Sequence, residues 1–264
     1  CKKMLFKQSD MSVLNKNDKH FDEVVKDITN YKTYGYSEDN DLYIKDYEVK
    51  PNCTLITYIV NDEEVKVKSP LLGQFNIENL SCALLIGMSL GFDLYHLLRN
   101  IDKLSISGRM NSINLGQDYY VLVDYAHTPN GLARLFEFTN KLEVNKKIVV
   151  TGNAGERDAS KRKYVGKLCA DNNDHVIFTY EDPRFEDPYN VVKDLCELIK
   201  AKTNYETVID REEAINKAIN MANKNDLVMI LGKGCEDWQE IKGEFIEFSD
   251  IEKAKQAIMK RMNH

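Results

Sequence analysis

Apolar positions recur along this chain in two rhythms, and the change of rhythm divides it. The first hundred residues read mostly as strands. The segment "MSVLN" (11–15) reads as a strand ending in a turn. Asp18 to Ile28 has helical spacing, with Phe21, Val24, Val25 and Ile28 on one face. Then come "LYIKDYEV", "TLITYIV" and "EEVKVKS", β-rich runs with partial alternation, broken at Pro51-Asn52 and Asn61-Asp62. They predict a small antiparallel meander. Pro70 to Gly73 ends that pattern. A helix is predicted from about Ile77 to Leu90 through Leu80, Leu84 and Met88, and a shorter one from about Leu94 to Ile101.

After "SGR" (107–109) strands and helices alternate. The predicted strands are "YYVLVDY", "KIVVTG", "HVIFT", "YETVI" and "DLVMILGKG", with "EFIEF" as an edge strand. Between them helices open at Thr128-Pro129 and run over about Ser160 to Asp171, from Pro188 to about Ala201, and from Arg211 to Ala222 behind Asp210 as cap. A last helix starts at Asp250. Alternating βα units imply an α/β fold with a doubly wound, mainly parallel sheet. The boundary predicts two domains, residues 1–107 and 108–264.

Composition narrows the function classes. The 264 residues hold 36 Lys and Arg against 42 Asp and Glu, a formal net charge of −6. A general nucleic-acid binder needs a basic footprint, so that class is set aside. No apolar run approaches the roughly 20 residues of a membrane span, and no signal-peptide pattern opens the chain. The six cysteines, Cys1, Cys53, Cys82, Cys169, Cys196 and Cys235, form no CxxC pair and no zinc spacing. They read as buried free thiols of a reducing compartment. The first residue is Cys1, not Met, which suggests a piece of something longer.

The polar clusters fall directly after predicted strands, where ligands of open α/β sheets bind. In "GNAGERDASKRK" (152–163) small residues admit close backbone approach, and Arg157, Lys161 and Arg162 add positive charge. An anionic ligand and a solvated turn both fit. No GxxxxGK[ST] phosphate loop occurs. Asp124 and His127 in "DYAHTP" can meet a ribose, or serve as a cap and a structural histidine. Asp182, Pro183 and Arg184 form a rigid turn whose guanidinium can fork onto a carboxylate, or pair with Glu186 or Asp187. "GKGCED" offers a Gly turn and Glu236, a carboxylate able to hold an ammonium group.

Seven segments in order resemble the Mur ligases, ATP-dependent enzymes that build the peptide stem of peptidoglycan. They are "GQFNIEN" (73–79), "SGRM" (107–110), "VDYAHTPNGL" (123–132), "GERDASKR" (155–162), "EDPRFEDP" (181–188), "DREEAI" (210–215) and "LGKGCED" (231–237). Within that family the chain is most similar to the tripeptide synthetases, which add a diamino acid to UDP-N-acetylmuramoyl-L-alanyl-D-glutamate. The resemblance implies a Rossmann-like C-terminal domain preceded by the latter part of a central ATPase domain. It implies ATP and Mg²⁺ as cofactors, a UDP-N-acetylmuramoyl dipeptide and a diamino acid as substrates, an acyl-phosphate intermediate and a cytoplasmic setting. Carried over by motif, Asn76, Asn79, Arg109, Asp124 and His127 are the expected ATP contacts. Arg157, Asp182, Pro183, Arg184, Gly232 and Glu236 are the expected diamino-acid contacts.

The departures qualify these expectations. Asn111 stands where the family's "GRME" has a carboxylate, and Cys235 replaces the His of "GKGHE". Asp182 stands where diaminopimelate enzymes have Asn, and would attract an ammonium and repel a distal carboxylate, while Arg184 does the opposite. Diaminopimelate, lysine and lanthionine stay open, with a weak preference for a diaminopimelate-like substrate because Arg184 is kept. The family's UDP-sugar domain, ATP loop, metal-binding Glu and carbamylated Lys are not in this sequence. Catalytic and metal-binding residues are therefore expected upstream, and the 264 residues alone are expected to be inactive. The alternatives are a cyanophycin- or folylpolyglutamate-type ligase and a non-catalytic partner that kept the fold.

Overall fold

A computed structural model describes residues 2–106, 108 and 110–263. Cys1, Ser107, Arg109 and His264 lie outside the described residues, so the expected role of Arg109 has no structural account. The chain separates into two compact units, Cys1–Ser105 and Ile106–His264.

The first unit contains α1 (Lys2–Lys7), β1 (Ser12–Asn15), α2 (Phe21–Val25), β2 (Tyr31–Gly35) and β3 (Leu42–Val49). It continues with β4 (Thr54–Val60), β5 (Glu63–Ser69), α3 (Gln74–Ser89) and α4 (Leu94–Leu98). Its sheet has the order β1-β2-β3-β4-β5. The antiparallel meander is the β3–β5 half, and β1 and β2 extend it by parallel pairing. β4 alternates buried and half-buried positions, and its inward Ile56 and Tyr58 meet Ile77, Leu80 and Leu84 of α3. The period-2 strand and the period-3.6 helix thus present matching apolar faces.

One local expectation needs correction, and two elements were not foreseen. The helix expected over 18–28 contracts to α2, none of whose residues is buried. Five residues form little more than one turn, too short for an apolar face to dock. β2 carries no inside–outside alternation, and α1 had no periodic signal.

The second unit contains β6 (Asn111–Ile113), β7 (Tyr120–Asp124), α5 (Pro129–Thr139), β8 (Lys147–Thr151), α6 (Arg162–Asn172) and β9 (His175–Phe178). It continues with α7 (Pro188–Leu195), β10 (Tyr205–Thr207), α8 (Arg211–Met221), β11 (Leu227–Leu231), β12 (Trp238–Ile241), β13 (Glu244–Glu247) and α9 (Asp250–Met262). The six-stranded sheet has the order β10-β9-β8-β11-β7-β6, parallel except for β6. All five residues of β11 are buried, as a central strand covered on both faces requires. Val121, Ile148, Ile177 and Val228 pack against Ala214, Ile215 and Ile219 of α8 and Ile258 of α9. Sequence-local chemistry sets the helix starts. The side chains of Thr128, Asp187 and Asp210 accept backbone N–H bonds from Gly131, Tyr189 and Glu213, and Pro opens α5 and α7.

Here too the sequence reading is corrected. "EFIEF" is no edge of the main sheet: β13 pairs with β12 in a separate antiparallel hairpin. β6 and β12 were not foreseen, and α7 ends at Leu195. No described helix is long and apolar enough to cross a membrane.

Candidate functional site

In the second unit the parallel strands aim their carboxyl ends at one edge of the sheet. Loops after β7, β8, β9 and β11 surround a cleft of about 570 Å³. His127, Arg157, Asp182, Arg184, Gly232 and Glu236 all line it, so the structure gathers these residues from four loops.

Arg157 is exposed on the wall of the cleft. Arg162, five residues on, is different. It is 1% exposed, donating to Glu186 at 2.6 and 2.7 Å, to Asp194 at 3.0 Å and to the Ala154 carbonyl at 3.1 Å. Its charge is consumed in bracing the loop against α7, so it is not a free cation for an anionic ligand. Glu186, in turn, is held below the usual carboxylate range by Arg162.

Arg184 sits at φ +53 and pairs with Glu240 at 3.1 Å, not with Glu186 or Asp187 as the surface reading had it. Its peptide bonds to β12 on both sides: Arg184 N–H to the Glu240 carbonyl at 3.0 Å, and Lys242 N–H to the Arg184 carbonyl at 2.8 Å. The β12–β13 hairpin therefore fixes the turn that carries this guanidinium.

Asp182 is 6% exposed, and its Oδ1 accepts from Lys233 Nζ at 2.9 Å and from the Glu240 N–H at 3.1 Å. Lys233 also donates to Glu236 Oε2 at 3.1 Å and lies 5.1 Å from the centre of the Trp238 ring. It is fully buried. This contact sets a buried positive charge directly against Asp182. Glu236 is also reached by the Tyr125 hydroxyl at 3.3 Å.

Sequence reasoning passed over Lys233, Glu181, Tyr125 and Trp238, although all four lie within or beside the quoted motifs. A lysine between two glycines reads as solvated, and no linear signal shows its burial. Glu181 is 6% exposed, and burial raises its carboxyl to about 7. Gly232 has φ +119, and a Cβ there would stand 1.9 Å from Glu181 Oε1, so only glycine fits.

Asp124 is 8% exposed and accepts from the Met110 N–H and the Ala126 N–H, each at 2.8 Å. It thereby holds the backbone at Met110 and Ala126. Gly108, at φ +68, accepts from the Tyr125 N–H at 2.9 Å, and a Cβ on it would lie 2.3 Å from the Cys235 nitrogen. His127 contacts the Tyr125 carbonyl through Nδ1 at 2.8 Å.

In the first unit Asn76 and Asn79 share one face of α3. Asn76 is 1% exposed, donates to the Leu72 carbonyl at 2.7 Å, and accepts from Asn79 Nδ2 at 3.4 Å. Asn79 is exposed. The described cysteines are free, but Cys235 is exposed, against the expectation of burial. Among the described residues no group of three or more His, Cys, Asp or Glu could hold a metal ion.

Comparison with known proteins places this geometry. Residues 1–87 match the Mur ligase middle domain, and residues 108–234 match the Mur ligase glutamate ligase domain. The UDP-N-acetylmuramoyl-L-alanyl-D-glutamate–2,6-diaminopimelate ligase of Bacillus licheniformis is 35% identical over 86% of this chain and 46% of its own length. The ligase of that name from Synechocystis is 33% identical over 99% of this chain and 54% of its own. A solved structure of such a ligase superposes with a TM-score of 0.78 at 32% identity, covering 100% of this chain and 56% of that one. A MurF ligase from Thermotoga maritima in complex with ADP shares the fold at 18% identity, over 98% of this chain and 56% of that one, with a TM-score of 0.57. The chain spans about half the length of the curated relatives it matches.

Proposed function

The chain belongs to the Mur ligase family, and from that premise we propose that it forms the middle and C-terminal part of an ATP-dependent amide ligase. The reaction is addition of a diaminopimelate-like diamino acid to UDP-N-acetylmuramoyl-L-alanyl-D-glutamate in the cytoplasm. The dipeptide carboxylate accepts a phosphoryl group from ATP, and the amine attacks the acyl phosphate. Phosphate is the leaving group.

The observation that carries this reading is the mixed charge of the cleft. Arg157 and Arg184 can fork onto carboxylates, while Glu236, whose side chain is 27% exposed, offers a carboxylate to an ammonium group. A zwitterion with charges at both ends satisfies both sets; a simple anion would leave the carboxylates opposed. Lys233 removes the penalty that Asp182 would impose on a second carboxylate, which favours diaminopimelate over lysine.

Asn76 and Asn79 are assigned to the adenine, and Arg109, Asp124 and His127 to the ribose and phosphates. Mg²⁺ enters as the counter-ion of the transferring phosphoryl group. Catalytic side chains are assigned outside these 264 residues, whose task is to bind and orient.

Calorimetry on this chain tests the cleft, and a phosphate-release assay on the whole protein tests the reaction. The expected result is binding of meso-diaminopimelate at least tenfold tighter than L-lysine, and phosphate release with UDP-N-acetylmuramoyl dipeptide, ATP and Mg²⁺ only when a diamino acid is present. Equal or better turnover with L-lysine overturns the choice of substrate.

A further inference from the structure

Glu181 is the carboxyl of the cleft that its surroundings leave unsatisfied. It is 6% exposed, it lines the cleft, and its Oε1 has no hydrogen-bond partner among the described residues. The turn at Gly232 passes close enough that a Cβ there would stand 1.9 Å from that oxygen. The groups facing it are Arg211 from α8, Asp250 from α9, Lys233 after β11, Tyr125 after β7 and the adjacent Asp182. Both cations are already matched. Arg211 is bound to Asp250 at 2.8 and 2.7 Å, and Lys233 to Asp182 and Glu236 at 2.9 and 3.1 Å. Burial therefore outweighs their pull and raises the carboxyl to about 7.

An ammonium group entering the cleft supplies what this site lacks: a positive charge with N–H donors that is not already paired within the protein. We propose that Glu181 is a proton-exchanging residue of the cleft, neutral when the cleft is empty and ionised when the ammonium group of a diamino acid binds. The O–H bond of the carboxyl breaks, the proton passes to water, and the electron pair stays on the carboxylate. The ammonium keeps all its protons. Binding is thus coupled to release of one proton. This rests on the reading of the cleft as a diamino-acid site.

The test is calorimetric titration of the 264-residue chain with meso-diaminopimelate and, separately, with L-lysine, in phosphate and in Bis-Tris at pH 6 and in phosphate and in Tris at pH 8. The buffer dependence of the heat counts protons. The expected release is close to one proton per ligand at pH 6, falling towards zero at pH 8. Glu181→Gln, which matches the neutral acid in shape, is expected to bind without release at either pH. Wild-type binding with no release at pH 6 overturns the inference and leaves the diamino-acid reading standing. Release that persists in Glu181→Gln also overturns it and moves the proton to another group. If neither amino acid binds the wild-type chain, the reading of the cleft falls and this inference with it.

Discussion

Arg211 and Lys233 are both fully buried cations near the carboxyl edge of one sheet, yet their surroundings differ in kind. Arg211 is enclosed. Asp250 meets its guanidinium with two hydrogen bonds, and the Leu231 carbonyl takes a third at 2.9 Å. Lys233 stands behind a cleft wall, and one of its partners, Glu236, keeps 27% of its side chain exposed. The first cluster is closed on itself and joins α8 to α9. The second is joined from two loops and opens onto ligand space. The same chemistry is structural where every charge is met internally, and available for recognition where one partner remains open.

Breaking the closed pair should have the largest effect. Arg211→Met leaves Asp250 buried without its cation, at an expected cost of about 3–5 kcal/mol. Thermal melting of the second unit should fall steeply. A full-strength melt in this variant would remove the contrast.

Glu181→Gln acts in the opposite direction. The folded protein holds this proton up to about pH 7, while an unfolded glutamate releases it near pH 4.5. Between those values the native state binds more protons than the unfolded state, so stability falls as pH rises through that window. Gln removes the penalty. The variant should match wild type below pH 4 and exceed it above pH 7 by roughly 3 kcal/mol. Melting curves across pH 4 to 8 measure the divergence, and parallel curves would deny the raised carboxyl.

Lys233→Met sharpens the comparison further. It leaves Asp182 and Glu236 uncompensated, with an expected loss of about 2 kcal/mol in stability. Diaminopimelate affinity should fall by roughly tenfold or more beyond what the change in folded fraction explains. The smallest expected effect on stability belongs to Arg157→Ala. Its exposed side chain should shift stability by less than about 0.5 kcal/mol, while the diaminopimelate Kd rises roughly tenfold. An unchanged Kd in this variant would return Arg157 to the solvated turn.

Much of the second unit was legible in the chain itself. "LVMIL" is apolar throughout because a central parallel strand is covered on both faces. Thr128-Pro129 and Asp210 are helix starts for local hydrogen-bonding reasons. The loops after β7, β8, β9 and β11 were legible as ligand-facing because parallel strands share one carboxyl edge. What escaped was short or depended on a distant partner. β2 and β6 are stabilised by neighbours in the sheet, and β12 by its hairpin with β13, without a pattern of their own.

The sequence by itself determined the βα rhythm, the helix caps and which loops hold the polar residues, since periodicity and capping act over a few residues. Only the tertiary structure decided which charges remain available. Arg157 and Arg162 stand five positions apart in one motif, and nothing local separates them. Packing of α6 against α7 brings Glu186 and Asp194 to Arg162 and leaves Arg157 on the cleft wall. Likewise the folding of four loops onto one edge buries Lys233, satisfies Asp182 and strips Glu181 of a partner. Desolvation and charge pairing depend on the whole surroundings of a group, and those surroundings exist only once the chain has folded.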